Sequence, residues 1–412
     1  MRVLIVTQHF WPEVFRINDL ALGLLERGHL VTVLTGIPNY PEGRFSPGYG
    51  LFNNRRQNYN GVEVVRVPLL PRGKGGKIRL SLNYLSFALC ASIMAPLICH
   101  GKFDLIFVYE PSPVTVGLPA RVLKKVKSAP ILFWVQDLWP ESLSATGAIR
   151  SEGILNMVGW LVRFIYRGCD RVLVQSRAFF PSIERHGVSR SRIEYFPNSA
   201  EELYRPVVLE REAAERALMP TGFRVMFAGN IGAAQDFGTI LSAAERLKDH
   251  KDIQWIILGD GRMRSWVEKE VHARGLENSV HLLGRYPIET MPRFFSLADV
   301  LLVTLRKEPA FELTIPARVQ SYLACGKPIV AALDGEGARV IEEARAGIAC
   351  PAGNAEVLAG AILSMYEKSE SERGAIGLNG RKYFERHFER SMLLDRLEGW
   401  MNELSGEKFK KH

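Results

Sequence analysis

Short apolar runs of strand length recur along the chain, and apolar residues fall at helical spacing between them. Arg2–Val6, Val31–Leu34, Val62–Val67, Leu105–Val108, Ile131–Val135, Arg171–Val174 and Ile193–Phe196 read as strands. Asn18–Arg27 and Val114–Lys125 read as helices in the gaps. Near-continuous apolar strands alternating with helices predict a parallel sheet buried on both faces. The rhythm breaks at "FPNSAEELYRP" and the charged stretch Glu210–Arg216. It restarts at Arg224–Ala228 and runs through Ile253–Leu258, Val280–Leu283, Val300–Val303 and Ile329–Ala332. The pattern therefore predicts an α/β fold of two doubly wound, Rossmann-like domains in series. The expected division is 1–203, 204–385 and a closing segment, 386–412, that packs back across the domains as a helix. In such sheets ligands bind beyond the carboxyl ends of the strands, and two domains facing each other make a cleft.

One segment departs from the rhythm. "IRLSLNYLSFALCASIMAPLIC", Ile78 to Cys99, carries a single charge, Arg79, and follows a basic run of Arg72, Lys74, Lys77 and Arg79. About 20 apolar residues are enough to span a bilayer. Four polar residues and Pro96 dilute the segment, so three readings stand: a buried domain helix, a helix lying at the membrane interface, and a span. Charge sharpens the question. The chain carries +9 overall, but residues 1–200 hold 24 Lys and Arg against 13 Asp and Glu, while the rest is slightly acidic. Solubility explains such an excess blandly; an anionic surface facing the first half explains its placement. No nucleic-acid motif accompanies it, which leaves a membrane surface or a lipid pyrophosphate. Five scattered cysteines without a Cys-x-x-Cys pair argue against a disulfide framework or zinc site and for a reducing compartment. The opening "RVLIVTQHF" is too short for a signal sequence and reads as a first core strand.

The informative chemistry follows the strands of the second half. In "FAGNIGAAQDF", Gly229 and Gly232 let the backbone turn tightly, and a helix from about Asp236 follows. "ILGDGRM" repeats the pattern at Gly259 and Gly261, and "VHLLGRYP" brings Gly284, Arg285 and Tyr286. A glycine loop leading to a helix start is an anion site, although a plain strand–helix turn has the same look. "TIPARVQSYLACGKPIV" adds a helix that begins with Pro316 and places Arg318 in its first turn. The amino end of a helix already carries roughly +0.5 of a charge, so a cation there opposes folding. A bound diphosphate reverses that sign; the alternative is an arginine pointing to solvent.

Taken together, "PARVQSYLACGKPIV", "FAGNIGAAQDF", "LGDG", "LLGRYP" and the linker "FPNSAEELYRP" resemble a family 4 glycosyltransferase with the GT-B fold. With "TQHFWPEVFRINDLA" and "WVQDLWPES", the resemblance spans nearly the whole chain and is greatest to the branch of bacterial fucosaminyltransferases and other O-antigen sugar transferases. It implies a retaining transferase that uses a UDP-sugar held on the second domain. By position in the motifs, Arg285 and Tyr286 match the loop that holds the base. Asn230, Gly232 and Gln235 match the diphosphate-facing loop, with Gly259 in the next glycine turn, and Pro316 and Arg318 match the helix that meets the diphosphate. Asp137 matches the first-domain position near the reacting sugar, and Glu13 and Arg16 the loop under the donor phosphates or near the acceptor. Catalytic roles thus fall on Asp137, Arg318 and Glu13. The chain departs from the family where two glutamates are usual: Leu313 and Ser321 stand there. Gln235 stands for the usual lysine, and Gln136 for the histidine before the aspartate. Glu308 and Glu312 are nearby acids that either replace the missing contact or remain solvated loop carboxylates.

Glycosyl transfer passes through an oxocarbenium-like state, which hydrolases manage with a close pair of carboxylates. No such pair is evident here, and stabilising the departing diphosphate with N–H groups and Arg318 is the electrostatic alternative. The resemblance suggests front-side attack, with Asp137 positioning a hydroxyl; as a bland reading, Asp137 caps the segment that follows it. No histidine or aspartate pair of metal-ligand spacing is present, so no metal or other cofactor is expected. The expected partners are a UDP-sugar, a polyprenyl-pyrophosphate-linked saccharide and the anionic inner membrane surface, with the protein peripheral on the cytoplasmic face. The rivals are a nucleotide-sugar epimerase of the same fold and a non-catalytic membrane-associated nucleotide-sugar binder. UDP-N-acetyl-L-fucosamine is the donor that the resemblance suggests, with other N-acetylated hexosamines next.

Overall fold

The apolar runs fold into two parallel sheets. We describe them from a computed structural model of the chain, which covers all residues except 74–75, 146–148, 150 and 407–412. Lys74, part of the basic run before the apolar segment, lies outside the described residues. The first sheet contains β1 (Arg2–Val6), β2 (Leu30–Gly36), β3 (Arg56–Tyr59), β4 (Val62–Val67), β5 (Leu105–Glu110), β6 (Ile131–Val135), β7 (Arg171–Val174) and β8 (Ile193–Tyr195). Their order across the sheet is β3-β4-β2-β1-β5-β6-β7-β8, parallel except for the β3–β4 hairpin. The second contains β9 (Phe223–Ala228), β10 (Ile253–Leu258), β11 (Val280–Gly284), β12 (Val300–Thr304), β13 (Ile329–Ala332) and β14 (Gly347–Cys350), in the order β11-β10-β9-β12-β13-β14 and parallel throughout. This is the doubly wound α/β architecture that the alternation of apolar runs predicts, twice over.

Each of the twelve expected strands is present, with ends shifted by two residues or fewer. The two additional strands are those with the least apolar signal. β3, "RQNY", is a polar edge strand held by an Asn60–Gly61 turn, both residues in the left-handed region at φ 50° and 100°. β14 is only four residues, "GIAC", at the other sheet's edge.

The chain divides into two compact units: Met1–Pro197 with the segment from Leu394 onward, and Asn198–Leu393. The sequence pattern places these boundaries at 203/204 and 385/386. The last helix, Arg390–Ser405, thus starts in the second unit and continues in the first. There Arg27 and His29 pair with Glu398, and Trp400 packs edge-on against Phe196 at 5.8 Å.

The apolar segment forms one helix, Lys77–Ile98. Phe87, Ala88, Ala91 and Ala95 are buried against the first sheet's layer. Asn83, on the same face, accepts a hydrogen bond from the Gln8 side chain at 2.7 Å and donates to the Leu70 carbonyl at 2.6 Å. One face therefore behaves as a domain helix. The opposite face is exposed.

Candidate active site

In the second unit the strand order reverses at β9, which has β10 on one side and β12 on the other. Loops on either side of such a switch point separate and leave a crevice at the carboxyl ends of the strands. A pocket of about 1180 Å³ lies there. Its floor is the turns that leave β9, β10 and β11, and these turns brace one another. The Gly229 amide donates to the Leu258 carbonyl, and the Gly259 amide to the Gly284 carbonyl, at 2.8 and 2.7 Å. Ile231 likewise donates to Asp260 at 2.8 Å. Two positions demand glycine. Gly259 sits at φ 139°, and a Cβ there would lie 1.8 Å from the Gly229 carbonyl oxygen. Gly229 sits at φ 140°, and a Cβ there would reach 2.6 Å from Arg318 Nε. Without side chains, the turns close against each other and against that arginine.

Arg318 is the second residue of the Ala317–Ala324 helix, whose N-cap, Pro316, has no side-chain acceptor for the first-turn amides; its carbonyl accepts the Val319 amide at 2.9 Å. Those N–H groups and the guanidinium add positive potential at one place. The guanidinium lies over the Phe227 ring at 4.5 Å, and among the described residues no carboxylate pairs with it. Burial pushes its pKa below the ordinary arginine value, with Tyr322 opposing. Arg318 thus stands against the Gly229 turn at a helix start that lacks a side-chain cap.

Of the residues singled out in the sequence, Asn230, Gly259, Arg285, Tyr286 and Arg318 line this pocket. Gly232, Gln235, Glu312 and Pro316 do not. Gln235 turns inward: its Oε1 accepts from the Gly232 amide at 3.2 Å and from Asn230 Nδ2 at 3.4 Å, so it holds the loop that presents Asn230. Glu312 closes a four-residue helix, and its backbone packs on Gly335, where a Cβ would lie 2.1 Å from the Glu312 carbonyl oxygen. Neither Glu308 nor Glu312 lines this pocket, whereas Ser321, at one of the positions where the family has a glutamate, does.

The structure adds residues that the motifs did not mark. Glu201 and Tyr204 reach the wall from the linker, and Asp260 and Tyr322 complete it. The Tyr322 hydroxyl accepts the Ala228 amide at 3.1 Å and so fixes the end of β9. Tyr204 stacks on Phe295 at 6.0 Å and 10°, and burial raises its pKa to about 12. Tyr286 packs on Phe294 at 4.6 Å. The pocket is thus aromatic on one side, with two cations and two acids among its lining. Glu201 was legible only as a charge in a linker, since linker residues carry no period to mark their direction.

The first unit has its own group at the carboxyl ends of β5 and β6. Asp137 follows β6 and is partly buried; its carboxylate accepts from Trp139 Nε1 and Ser142 Oγ, each at 3.2 Å. Burial raises its pKa, against those two hydrogen bonds. Those contacts are local and cap-like, as the bland reading expected, while the carboxylate also stands at a strand end. Glu110, the last residue of β5, is fully buried, and the backbone amides of Asp137 and Gln136 approach its carboxyl. Burial raises its pKa well above the ordinary range, and the Asp137 charge pushes the same way. Burial favours the neutral form of a carboxyl, and a second acid close by adds to that preference. Its place in "FVYEPSP" looks like a plain strand end, so only tertiary structure exposes the pairing. Glu13 is different. Its Oε1 accepts the Asn39 and Tyr40 amides at 2.6 and 2.7 Å, and its Oε2 meets His9 Nδ1 at 2.6 Å. Buried and occupied by the chain's own donors, the Glu13 carboxylate anchors the loop after β2 and is not free to meet a substrate.

Two doubly wound units, one with a pocket at its switch point, are the architecture of a GT-B glycosyltransferase. The comparisons agree. Residues 14–199 match the model of the glycosyl transferase 4-like domain, and residues 222–368 that of glycosyl transferases group 1. The chain belongs to the family 4 glycosyltransferases. It is 24% identical to WcaI of Escherichia coli (strain K12), named for colanic acid biosynthesis, over 79% of this chain and 82% of that protein. It is 31% identical to WbjE of Pseudomonas aeruginosa, named a glycosyltransferase, over 59% and 61%. The fold matches the crystal structure of Anabaena HepE in complex with UDP, with TM-score 0.68, 16% identity and coverage of 98% of this chain and 100% of that one.

Proposed function

We propose that this glycosyltransferase takes its sugar, an N-acetylated amino sugar, from a UDP-sugar and passes it with retention to a polyprenyl-pyrophosphate-linked saccharide. The observation that carries the donor reading is Arg318, a largely buried cation with no carboxylate partner among the described residues, at a helix start without a side-chain cap and against the Gly229 turn. Two linked phosphates supply both acceptors and the opposite charge; a neutral sugar supplies acceptors without the charge. That HepE is known in complex with UDP supports the same nucleotide, and the aromatic wall of Tyr204, Tyr286 and Phe295 suits a base and ribose.

Transfer then rests on the leaving diphosphate. Arg318 and the first-turn amides take up the charge that develops on it as the sugar–oxygen bond breaks. A phosphate oxygen of the donor itself accepts the acceptor's proton, and Asp137 orients a hydroxyl through its carboxylate. Among the described residues no group of three His, Cys, Asp or Glu is placed to hold a metal, and we propose turnover that EDTA does not reduce. The test is a panel of nucleotide sugars offered with a polyprenyl-pyrophosphate saccharide, read by mass spectrometry, with the product's anomeric configuration read by NMR. Transfer from a UDP-sugar with the anomeric configuration kept is the expected result. Transfer only from another nucleotide, inversion, or a new free nucleotide sugar without transfer each overturns a named part of the reading.

A further inference from the structure

We propose that the outer face formed by the helices Lys77–Ile98, Gly117–Lys127 and Glu152–Arg167 is a docking surface for the anionic leaflet of a lipid bilayer. The inference does not depend on which sugar or nucleotide the pocket takes.

A helix that is apolar all round belongs in a core or in lipid. Lys77–Ile98 has neither surrounding complete. Its one face is buried, yet Ile78, Leu82, Leu85, Leu89, Ile93 and Leu97 form a continuous exposed stripe along the other, with Leu89 62% and Leu97 74% exposed. At 22 residues the helix runs roughly 33 Å, and the stripe follows nearly its whole length. Glu152–Arg167 repeats the arrangement, with Ile154, Met157, Trp160 and Phe164 outward and Trp160 65% exposed. Trp160 and Phe164 stack at 6.0 Å. Gly117–Lys127 lies between these helices. Leu85 and Leu89 from the first, Val122 and Lys125 from the second and Phe164 from the third line one apolar groove of about 560 Å³. The three outward faces are therefore one surface.

Charge selects the occupant. Among the described side chains the three helices carry seven Lys and Arg and a single acid, Glu152; one of the seven, Lys124, pairs with Asp170 at 2.6 Å and the other six outnumber the acid. Two copies meeting about a two-fold axis would set these cations against each other. An anionic headgroup layer takes the cations while its acyl region takes the stripes. The Lys77–Ile98 helix lies in the interface and does not cross, because Asn83, Phe87 and Ala91 on its other face are committed to the protein's own core.

Flotation of the full chain with phosphatidylcholine vesicles, with and without phosphatidylglycerol, tests the surface. We expect flotation with the anionic vesicles and a blue shift of tryptophan fluorescence that Trp160→Phe abolishes. Leu89→Asp with Ile93→Asp abolishes flotation, and Lys125→Glu weakens vesicle binding by about fivefold or more. Each variant should keep the wild-type melting temperature; if the double variant melts early, Lys125→Glu alone decides. Equal binding to both vesicle types, variants that float like wild type, or a solution dimer that these variants split would overturn the proposal. Resistance to alkaline carbonate extraction would overturn it in favour of a span.

Discussion

Arg318 is the residue on which the donor reading turns, and its energetics make a prediction with two signs. A charged hydrogen-bonding group in a desolvated pocket contributes about 1.5–3 kcal/mol to a partner it was built for. Arg318→Ala should therefore weaken UDP binding by roughly tenfold to a hundredfold in calorimetry. The same change should leave the melting temperature level or raise it, since the native cation has no acid to lose. Unchanged UDP affinity would remove the diphosphate from this helix end. Glu110 predicts a pH effect. Unfolded, its carboxyl ionises near the ordinary 4.5; buried, it keeps its proton to a higher pH. Between those values the native state binds more protons, so stability is fully present below the ordinary range and falls as pH rises through the native pKa. Glu110→Gln should flatten that fall when melting temperature is followed from acid to mildly alkaline pH. An identical slope in the variant would show that Glu110 ionises freely.

At the scale of elements, the pocket is made by strand ends and kept in shape by one hydroxyl. Tyr322, on the helix after Arg318, accepts the Ala228 amide at the last residue of β9. Tyr322→Phe leaves that buried amide unsatisfied and should cost about 1–3 kcal/mol in denaturant unfolding, with a matching loss of UDP affinity. Loss of stability with affinity intact would mean that the end of β9 does not shape the pocket. Elements were the most legible level in the sequence, since strands buried on both faces are apolar without interruption. β3 escaped because an edge strand with one partner needs no apolar face, even though its Asn60–Gly61 turn is written out. The helix Lys77–Ile98 was legible as a helix, but composition alone gives no way to tell which of its apolar faces is covered.

For the whole molecule, the two compact units predict two responses to one ligand. All pocket residues from Glu201 to Tyr322 belong to the unit Asn198–Leu393. Saturating UDP at about a hundred times its Kd should stabilise that unit by about 2.7 kcal/mol. Scanning calorimetry should then show one transition move upward while the other stays. Equal movement of both transitions would mean that the units unfold as one body; movement of neither would take UDP away from this site.

The sequence alone determined the class of fold, the glycine turns and the arginine at the helix start. These follow from local rules: apolar period sets the strands, and a turn with no room for Cβ demands glycine. Tertiary structure decided which charges are spent and which are free. Glu13 proved occupied by the Asn39 and Tyr40 amides, Gln235 turned to hold its own loop, and Arg318 kept no acid partner. It also brought Glu110 up against Asp137 and left one side of an apolar helix open. Such outcomes depend on which groups meet across distant segments, and a side chain's partners are not written in its neighbours along the chain.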